Sequence, residues 1–355
     1  MRNLSEPKPR HAPSARALQL DAGRFKSLRS LNDLAALFNT CANELQLVRS
    51  NPEYHIYQIP KKDGSMRLIE DPQHALKTVL HWLNHYLQAV YYFQRPGPVY
   101  GFCISCRDDA DRNVVNNAKN HVGNPYVLIM DLHDFFHTVT IEMVYQTFTA
   151  QFPLFEDKVI DTLTCVSTFK DRLPIGSPAS PVISNLAVLD MDAEIEHFCQ
   201  AASIKYTRYA DDMVFSAKAP ISQNDINTLR GIITNSGLLV NEKKVRYYNP
   251  GENACITGLI LTENGVNLPD GYLPQLEEEI NRLKTVMMVD SRYRTGMSYQ
   301  KLKLLKQELQ GKINFAQMAL GSTSDQIIKL HQLFEDAEMQ VDSFQSASWL
   351  EIPYL

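Results

Sequence analysis

"KYTRYADDMVFSA", residues 205 to 217, sets two adjacent carboxylates, Asp211 and Asp212, inside a run of aromatic and β-branched residues. Such residues suit a pleated surface, and Ala-Asp-Asp suits a tight turn, so the stretch reads as a strand pair. Aspartate is a common turn residue, and a hairpin that merely happens to turn there accounts for the sequence locally. A second stretch shifts the balance. "YVLIMDL", residues 126 to 132, is a continuous apolar strand interrupted only by Asp131. An unpaired charge in a buried strand is costly. Three carboxylates at strand ends point to a shared divalent-cation site, because Mg²⁺ takes oxygen ligands and offsets the repulsion between acids.

Working outward, "PEYHIYQIPKKDGSMRLIEDP" (52–72) reads as a hairpin turning at Gly64 and ended by Pro72. Leu76, Leu80, Leu83, Leu87 and Val90 follow at helical spacing. After "LPIGSPASP" (173–181) a helix is expected with Val182, Leu186, Leu189 and Ala193 on one face. The last third changes character. Apolar residues at 273, 276, 280 and 283, at 302, 305, 309 and 313, and at 327, 330 and 334 mark three amphipathic helices. There is no internal repeat.

The chain has 355 residues, 44% of them hydrophobic and 21% charged, which is the composition of an ordinary soluble protein with room for two or three subdomains. It lacks an 18-residue apolar run and a secretory-type apolar N-terminus, so a cytoplasmic location without a membrane partner is expected. Of six cysteines only Cys103 and Cys106 form a close pair, which does not support a structural zinc. The net charge of −5 conceals a division. Residues 1–30 carry +5 and residues 282–312 carry +6, leaving −16 elsewhere, part of it in an acidic tail. Local basic patches are what a phosphate backbone responds to, whatever the total charge; solvated helix faces are the alternative.

Taken together, these stretches resemble the reverse transcriptases, in family order over roughly residues 50 to 320. "VLIMDLHDFF" resembles the first palm motif, "LPIGSPASPVISNLA" the second, "YADD" the catalytic hairpin, and "GLLVNEKK" (237–244) the helix-to-strand motif that follows. Within the family the retron type is indicated by "NAKNH" (117–121), which fits its NAxxH signature, and by "ITG" (256–258) in place of VTG.

The resemblance implies roles residue by residue. Asp131, Asp211 and Asp212 are the expected ligands of two Mg²⁺ ions, for which Mn²⁺ can substitute, with the Leu132 carbonyl as a further ligand. Phe136 stands as the steric gate against a ribose 2′-OH; as the alternative, Phe135 and Phe136 are both core. Lys61, Lys62 and Arg67 lie on the first hairpin, where the family grips the triphosphate, with Lys62 and Arg67 the nucleotide-binding candidates and a solvated tip the alternative for Lys61. Gly176 and Ser177 would let the backbone approach the nucleotide and template, although this chain has Ile175 where the family has Gln. Lys244 is the candidate acid for the departing pyrophosphate, with Lys243 competing. Asn117 and His121 either orient RNA or brace the strand before Asp131. His133 and His137 have zinc-helix spacing without the HExxH glutamate, and are placed on the palm surface. Arg282, Lys284, Arg292, Arg294, Lys303 and Lys306 are expected to face an RNA–DNA duplex.

The expected architecture is an α+β right hand. A basic arm, mobile or ordered by a partner, would occupy 1–25, fingers and the start of the palm 26–125, the palm 126–267 with a fingers insertion at about 140–175, and a helical thumb with an acidic tail 268–355. The implied partners are a dedicated structured non-coding RNA that is both template and primer, dNTPs, the RNA–DNA hybrid product, and an effector protein in antiphage defence. A reverse transcriptase making unbranched DNA, a non-catalytic RNA-binding scaffold and a nucleotidyl cyclase are the rival readings.

Overall fold

A computed structural model of the protein describes residues 12–61, 64–293 and 299–348, with side chains left aside at 286–293, 299–301 and 338–348. Lys62, Arg294 and the Arg292 side chain therefore lie outside the described residues. The chain forms two compact units, Met1–Glu252 and Asn253–Leu355, and each is taken by itself.

The first unit begins with helices α1 (Ala15–Lys26), α2 (Leu31–Leu37) and α3 (Ala42–Ser50), then the hairpin β1 (Tyr54–Pro60) and β2 (Met66–Pro72). Next come α4 (His74–Tyr92), α5 (Val114–Lys119), β3 (Tyr126–Asp131), α6 (Phe135–Thr138), α7 (Ile141–Gln151) and α8 (Asp157–Ser167). The unit closes with α9 (Ser180–Ala187), α10 (Leu189–Ala201), β4 (Lys205–Tyr209), β5 (Asp212–Ala217), α11 (Gln223–Asn235), a 3₁₀ turn at Glu242–Lys244, and β6 (Arg246–Tyr248). Strands β4-β5-β3-β6 make one antiparallel sheet, while β1 and β2 form a separate two-stranded sheet. The fold class is α+β, with the sheet-and-helix arrangement of a right-hand polymerase palm.

Helix α4 follows its pattern: Leu76, Leu80, Leu83, Leu87 and Val90 are all buried. Two expectations change. Residues 15–26 form α1, where an arm was expected through residue 25: Ser14 Oγ accepts from the Ala17 N–H, and Leu18, Ala22 and Phe25 are buried. That i, i+4, i+7 set was obscured by the Pro, Ser and Arg residues before it. The helix after "LPIGSPASP" is two helices, broken where Val188 leaves helical geometry at φ −114°, ψ 18°.

The second unit joins β7 (Cys255–Ile256), β8 (Leu259–Leu261) and β9 (Val266–Asn267) to helices α12 (Tyr272–Tyr293), α13 (Tyr299–Leu320) and α14 (Asp325–Ser348). Leu276, Ile280, Leu283, Leu309, Ile313, Ile327 and Leu330 form its buried stripe. Lys312 ties α12 to α13 through Glu279 at 2.6 Å, and Lys329 ties α14 to α12 through Glu277 at 2.9 Å.

Candidate active site

The three carboxylates meet because the sheet register brings them together. Asp131 ends β3 directly opposite Asp212, the first residue of β5. Asp211 lies in the turn between β4 and β5, and its carbonyl accepts from the Leu132 N–H at 2.9 Å, joining the two strand ends. Asn241 clamps the other side: its N–H donates to the Asp131 carbonyl (2.8 Å) and its Nδ2 to Asp131 Oδ1 (3.1 Å). Lys244 Nζ reaches Asp131 Oδ2 at 2.8 Å. Of the two candidate lysines, Lys244 is thus the one whose Nζ stands at the carboxylates.

Electrostatics follow from this crowding. Burial, then the Asp131 charge, holds the Asp211 carboxyl above the usual carboxylate range. Burial, then Asp211 and Asp131, pushes Asp212 up to about 6. The hydrogen bond to Asp131 raises the Lys244 ammonium, keeping it protonated. Among the described residues no three His, Cys, Asp or Glu side chains close into a metal-holding set by themselves. Both oxygens of the Asp131 carboxylate are engaged, Oδ1 by Asn241 and Oδ2 by Lys244. An excess of buried acid over facing cation nevertheless fits Mg²⁺, which is commonly held by one or two carboxylates and completed by substrate phosphates.

Phe135 and Phe136 divide their expected roles. Phe135 is buried and belongs to the core, whereas Phe136 is half-buried, with its ring against Phe102 (5.7 Å) and Phe135 (5.9 Å). Arg67 is exposed on β2, and its charge is felt at Asp211. Arg282 and Lys303 are exposed, and Lys284 and Lys306 half-buried, on the helices of the second unit.

Burial and close packing bear on several of these expectations. Gly176, at φ +122°, is required by the protein itself: a Cβ there would meet the Glu70 carbonyl oxygen at 2.9 Å. Ser177 beside it is buried, at 4% exposure. Asn117 and His121 are fully buried and do not face RNA. The His121 ring bridges the hairpin, with Nδ1 2.7 Å from Ser216 Oγ and Nε2 2.7 Å from Thr207 Oγ1. It braces β4 and β5, rather than the strand before Asp131. His137 sits between Asp134 (3.0 Å) and Glu70 (3.7 Å), and among the described residues it belongs to no metal-holding set.

Burial, with the Lys205 charge adding to it, lowers the His121 imidazole to about 3. The unfolded chain therefore takes up this proton first on acidification. The contribution of His121 is complete above about pH 6.5 and declines as pH falls from there toward 3, by up to about 1.4 kcal/mol per pH unit. Urea denaturation at pH 7, 6 and 5 should show this decline in the wild type and a flatter profile in His121→Gln. Parallel profiles would refute the assignment.

Residues that sequence reading passed over frame the site. Arg208 is fully buried, with Nε on Asp192 Oδ1 (2.8 Å) and Nη2 on Asp192 Oδ2. Tyr206 also donates to Asp192 Oδ1, at 2.8 Å. Glu70, likewise buried, accepts both Arg172 Nη1 (2.7 Å) and Nη2 (3.0 Å). A charge two residues from Tyr206 on the inward face of a strand was the available signal for Arg208.

A model of the reverse transcriptase (RNA-dependent DNA polymerase) family matches residues 59–299. The chain belongs to that family, and RNA-directed DNA polymerase is its activity. Its curated relatives are of the retron type, and the chain is a reverse transcriptase of that type. It is 28% identical to the Escherichia coli retron Ec86 reverse transcriptase over 264 residues, 72% of this chain and 78% of the relative. It is 26% identical to the Myxococcus xanthus retron Mx162 enzyme over 280 residues, 71% of this chain and 56% of that one. Among solved structures, apo telomerase from Candida tropicalis overlays with a TM-score of 0.48 at 10% identity, covering 84% of this chain and 61% of that chain. Among the described residues no helix is long and apolar enough to cross a membrane.

Proposed function

We propose that this reverse transcriptase uses Asp131, Asp211 and Asp212 to hold two Mg²⁺ ions while it copies a dedicated structured RNA into a branched, RNA-linked single-stranded DNA. The observation that carries the site reading is the register that sets Asp131 against Asp212, with Asp211 beside them. When bound, the ions supply charge neutralisation to the attacking and leaving oxygens of an in-line phosphoryl displacement.

The chain's own residues do the rest. Asp131, Asp211 and Asp212 would hold the ions through carboxylate oxygens, Asp212 to a lesser degree, with the Leu132 carbonyl as a further donor. Arg67, and Lys62 with it, grips the triphosphate of the incoming dNTP. Lys244 holds a proton at Nζ, kept there by its bond to Asp131, and delivers it toward the departing pyrophosphate. Arg282, Lys284, Arg292, Arg294, Lys303 and Lys306 neutralise phosphates of the template–product hybrid, so affinity should fall with salt. Because the relatives are retron enzymes, the primer is read as a guanosine 2′-OH of the structured RNA, with an effector protein and antiphage defence as the setting. Cytoplasmic action fits that setting.

Phe136 rejects ribonucleotides by occupying the space of the 2′-OH. Primer extension on an RNA template with dNTPs and Mg²⁺ tests the activity, and Phe136→Ala tests the gate. The wild type should extend with dNTPs, and the variant should raise ribonucleotide incorporation by about 10-fold or more, since removing a steric clash is worth roughly 1–3 kcal/mol. Unchanged dNTP/rNTP discrimination would remove the gate assignment.

A further inference from the structure

The turn that carries Asp211 is held in a conformation that its own residues disfavour. Ala210 lies in the left-handed region at φ +58°. For a residue with a Cβ, this costs on the order of 1 kcal/mol and persists only when its surroundings impose it. Two neighbours do so. On one side Gly101 approaches so closely that a Cβ there would lie 2.2 Å from the Ala210 nitrogen. On the other, Arg208 Nη1 donates to the Ala210 carbonyl at 2.9 Å.

The same Nη1 donates to Asn185 Oδ1 (3.1 Å), and Asn185 Nδ2 donates to the Gly101 carbonyl (3.0 Å). Arg208, Asn185, Gly101 and Ala210 thus form a closed frame around the residue that precedes Asp211. The guanidinium is anchored from behind by both oxygens of Asp192, on α10. The Arg208 backbone is fixed as well: its N–H donates to the Pro98 carbonyl (2.9 Å) and its carbonyl accepts from Tyr100 (2.8 Å). A planar fork with several donors can satisfy a carboxylate, an amide and a main-chain carbonyl at once, which a lysine cannot.

We propose that Arg208 is a positioning residue: by holding the Ala210 carbonyl it sets where Asp211 stands relative to Asp131, and so sets the divalent-cation affinity of the carboxylate cluster. The inference rests on the reading of those carboxylates as a cation site. Shells behind metal ligands typically alter affinity by about 10- to 100-fold when changed.

The test compares wild type, Asp211→Asn, Arg208→Lys, and the triple variant Tyr206→Phe/Asp192→Leu/Arg208→Met. Arg208→Lys keeps a cation against Asp192, so no buried acid is left unpaired, but it loses the reach to Ala210. The triple variant removes the buried ion pair and its third partner together, an exchange for apolar side chains that is often neutral for folding. Mn²⁺ alone is titrated into each folded protein by electron paramagnetic resonance, with thermal melting, kcat and dNTP KM measured in parallel. The expected result is Mn²⁺ binding about 10-fold weaker or more in both Arg208 variants, with kcat reduced and dNTP KM within about 3-fold of wild type. A lowered melting temperature with wild-type Mn²⁺ affinity and kcat in either variant would overturn the proposal and leave Arg208 a purely structural residue. Should the triple variant fail to fold, Arg208→Lys decides by the same criteria. Wild-type Mn²⁺ binding that Asp211→Asn leaves unchanged would overturn the site reading itself, and this inference with it.

Discussion

Asp211→Asn is expected to lower primer extension by at least about 10³-fold while making the metal-free protein more resistant to heat. Both effects have one cause. Asp211 is held above the ordinary carboxylate range by burial and by the Asp131 charge, so without divalent cation its ionised form is a liability to the fold. A carboxyl whose folded pKa is raised binds its proton more tightly folded than unfolded. Its destabilising effect therefore appears as pH rises from about 3.9 and is complete once the pH has passed the folded value. Asparagine has no proton to lose, so the variant should melt higher than wild type at pH 7 without metal. Added Mg²⁺ and dNTP should stabilise the wild type and leave the variant nearly unchanged. Extension near the wild-type level would contradict the role given to Asp211. A melting temperature unchanged by the substitution would contradict its electrostatic account.

The largest expected loss of stability comes from Arg172→Ala, at about 3 kcal/mol. Glu70 is buried on β2, and burial alone would raise its carboxyl. The two Arg172 hydrogen bonds, with His137 and Lys170, more than reverse that and leave it below the ordinary value. Its stabilising contribution is thus present above the unfolded carboxylate pKa near 4.3 and is lost as pH falls through the lower folded value. Removing Arg172 strands a charge at the root of the β1–β2 hairpin, where the Glu70 N–H also donates to the Ile175 carbonyl at 2.6 Å. Urea denaturation should show the loss in Arg172→Ala, and the apolar pair Glu70→Met/Arg172→Met should recover most of it. A single variant as stable as wild type would mean that Lys170 and His137 suffice to compensate Glu70.

The carboxylates were legible because each interrupts an otherwise apolar strand, and a charge there demands a reason. The hairpin at 54–72 was legible from its turn at Gly64 and helix α4 from its apolar spacing. Arg208 was not, because its partner Asp192 sits on α10 and looks, in "LDMDAEIEHF", like one more acid on a solvated helix. The pairing exists only once the helix is laid behind the strand. His121 shows the opposite difficulty. Its motif was visible, but its burial against Thr207 and Ser216 depends on contacts 86 and 95 residues away. The closeness of Gly176 to the Glu70 backbone was likewise out of reach, since residues 70 and 176 are joined only by the fold. The break at Val188 has no Gly or Pro to announce it and reflects tertiary packing over helix propensity.

The most direct test of the account is to express the gene with its flanking DNA in a bacterium, purify the protein, and sequence the nucleic acid bound to it, with Asp211→Asn as the control. The account predicts a short DNA joined to a specific RNA through a 2′ linkage in the wild type, and RNA alone in the variant. Unbranched DNA in the wild type would contradict the branched product and the primer assigned to it. RNA without DNA in both samples would contradict synthesis at Asp131, Asp211 and Asp212 altogether.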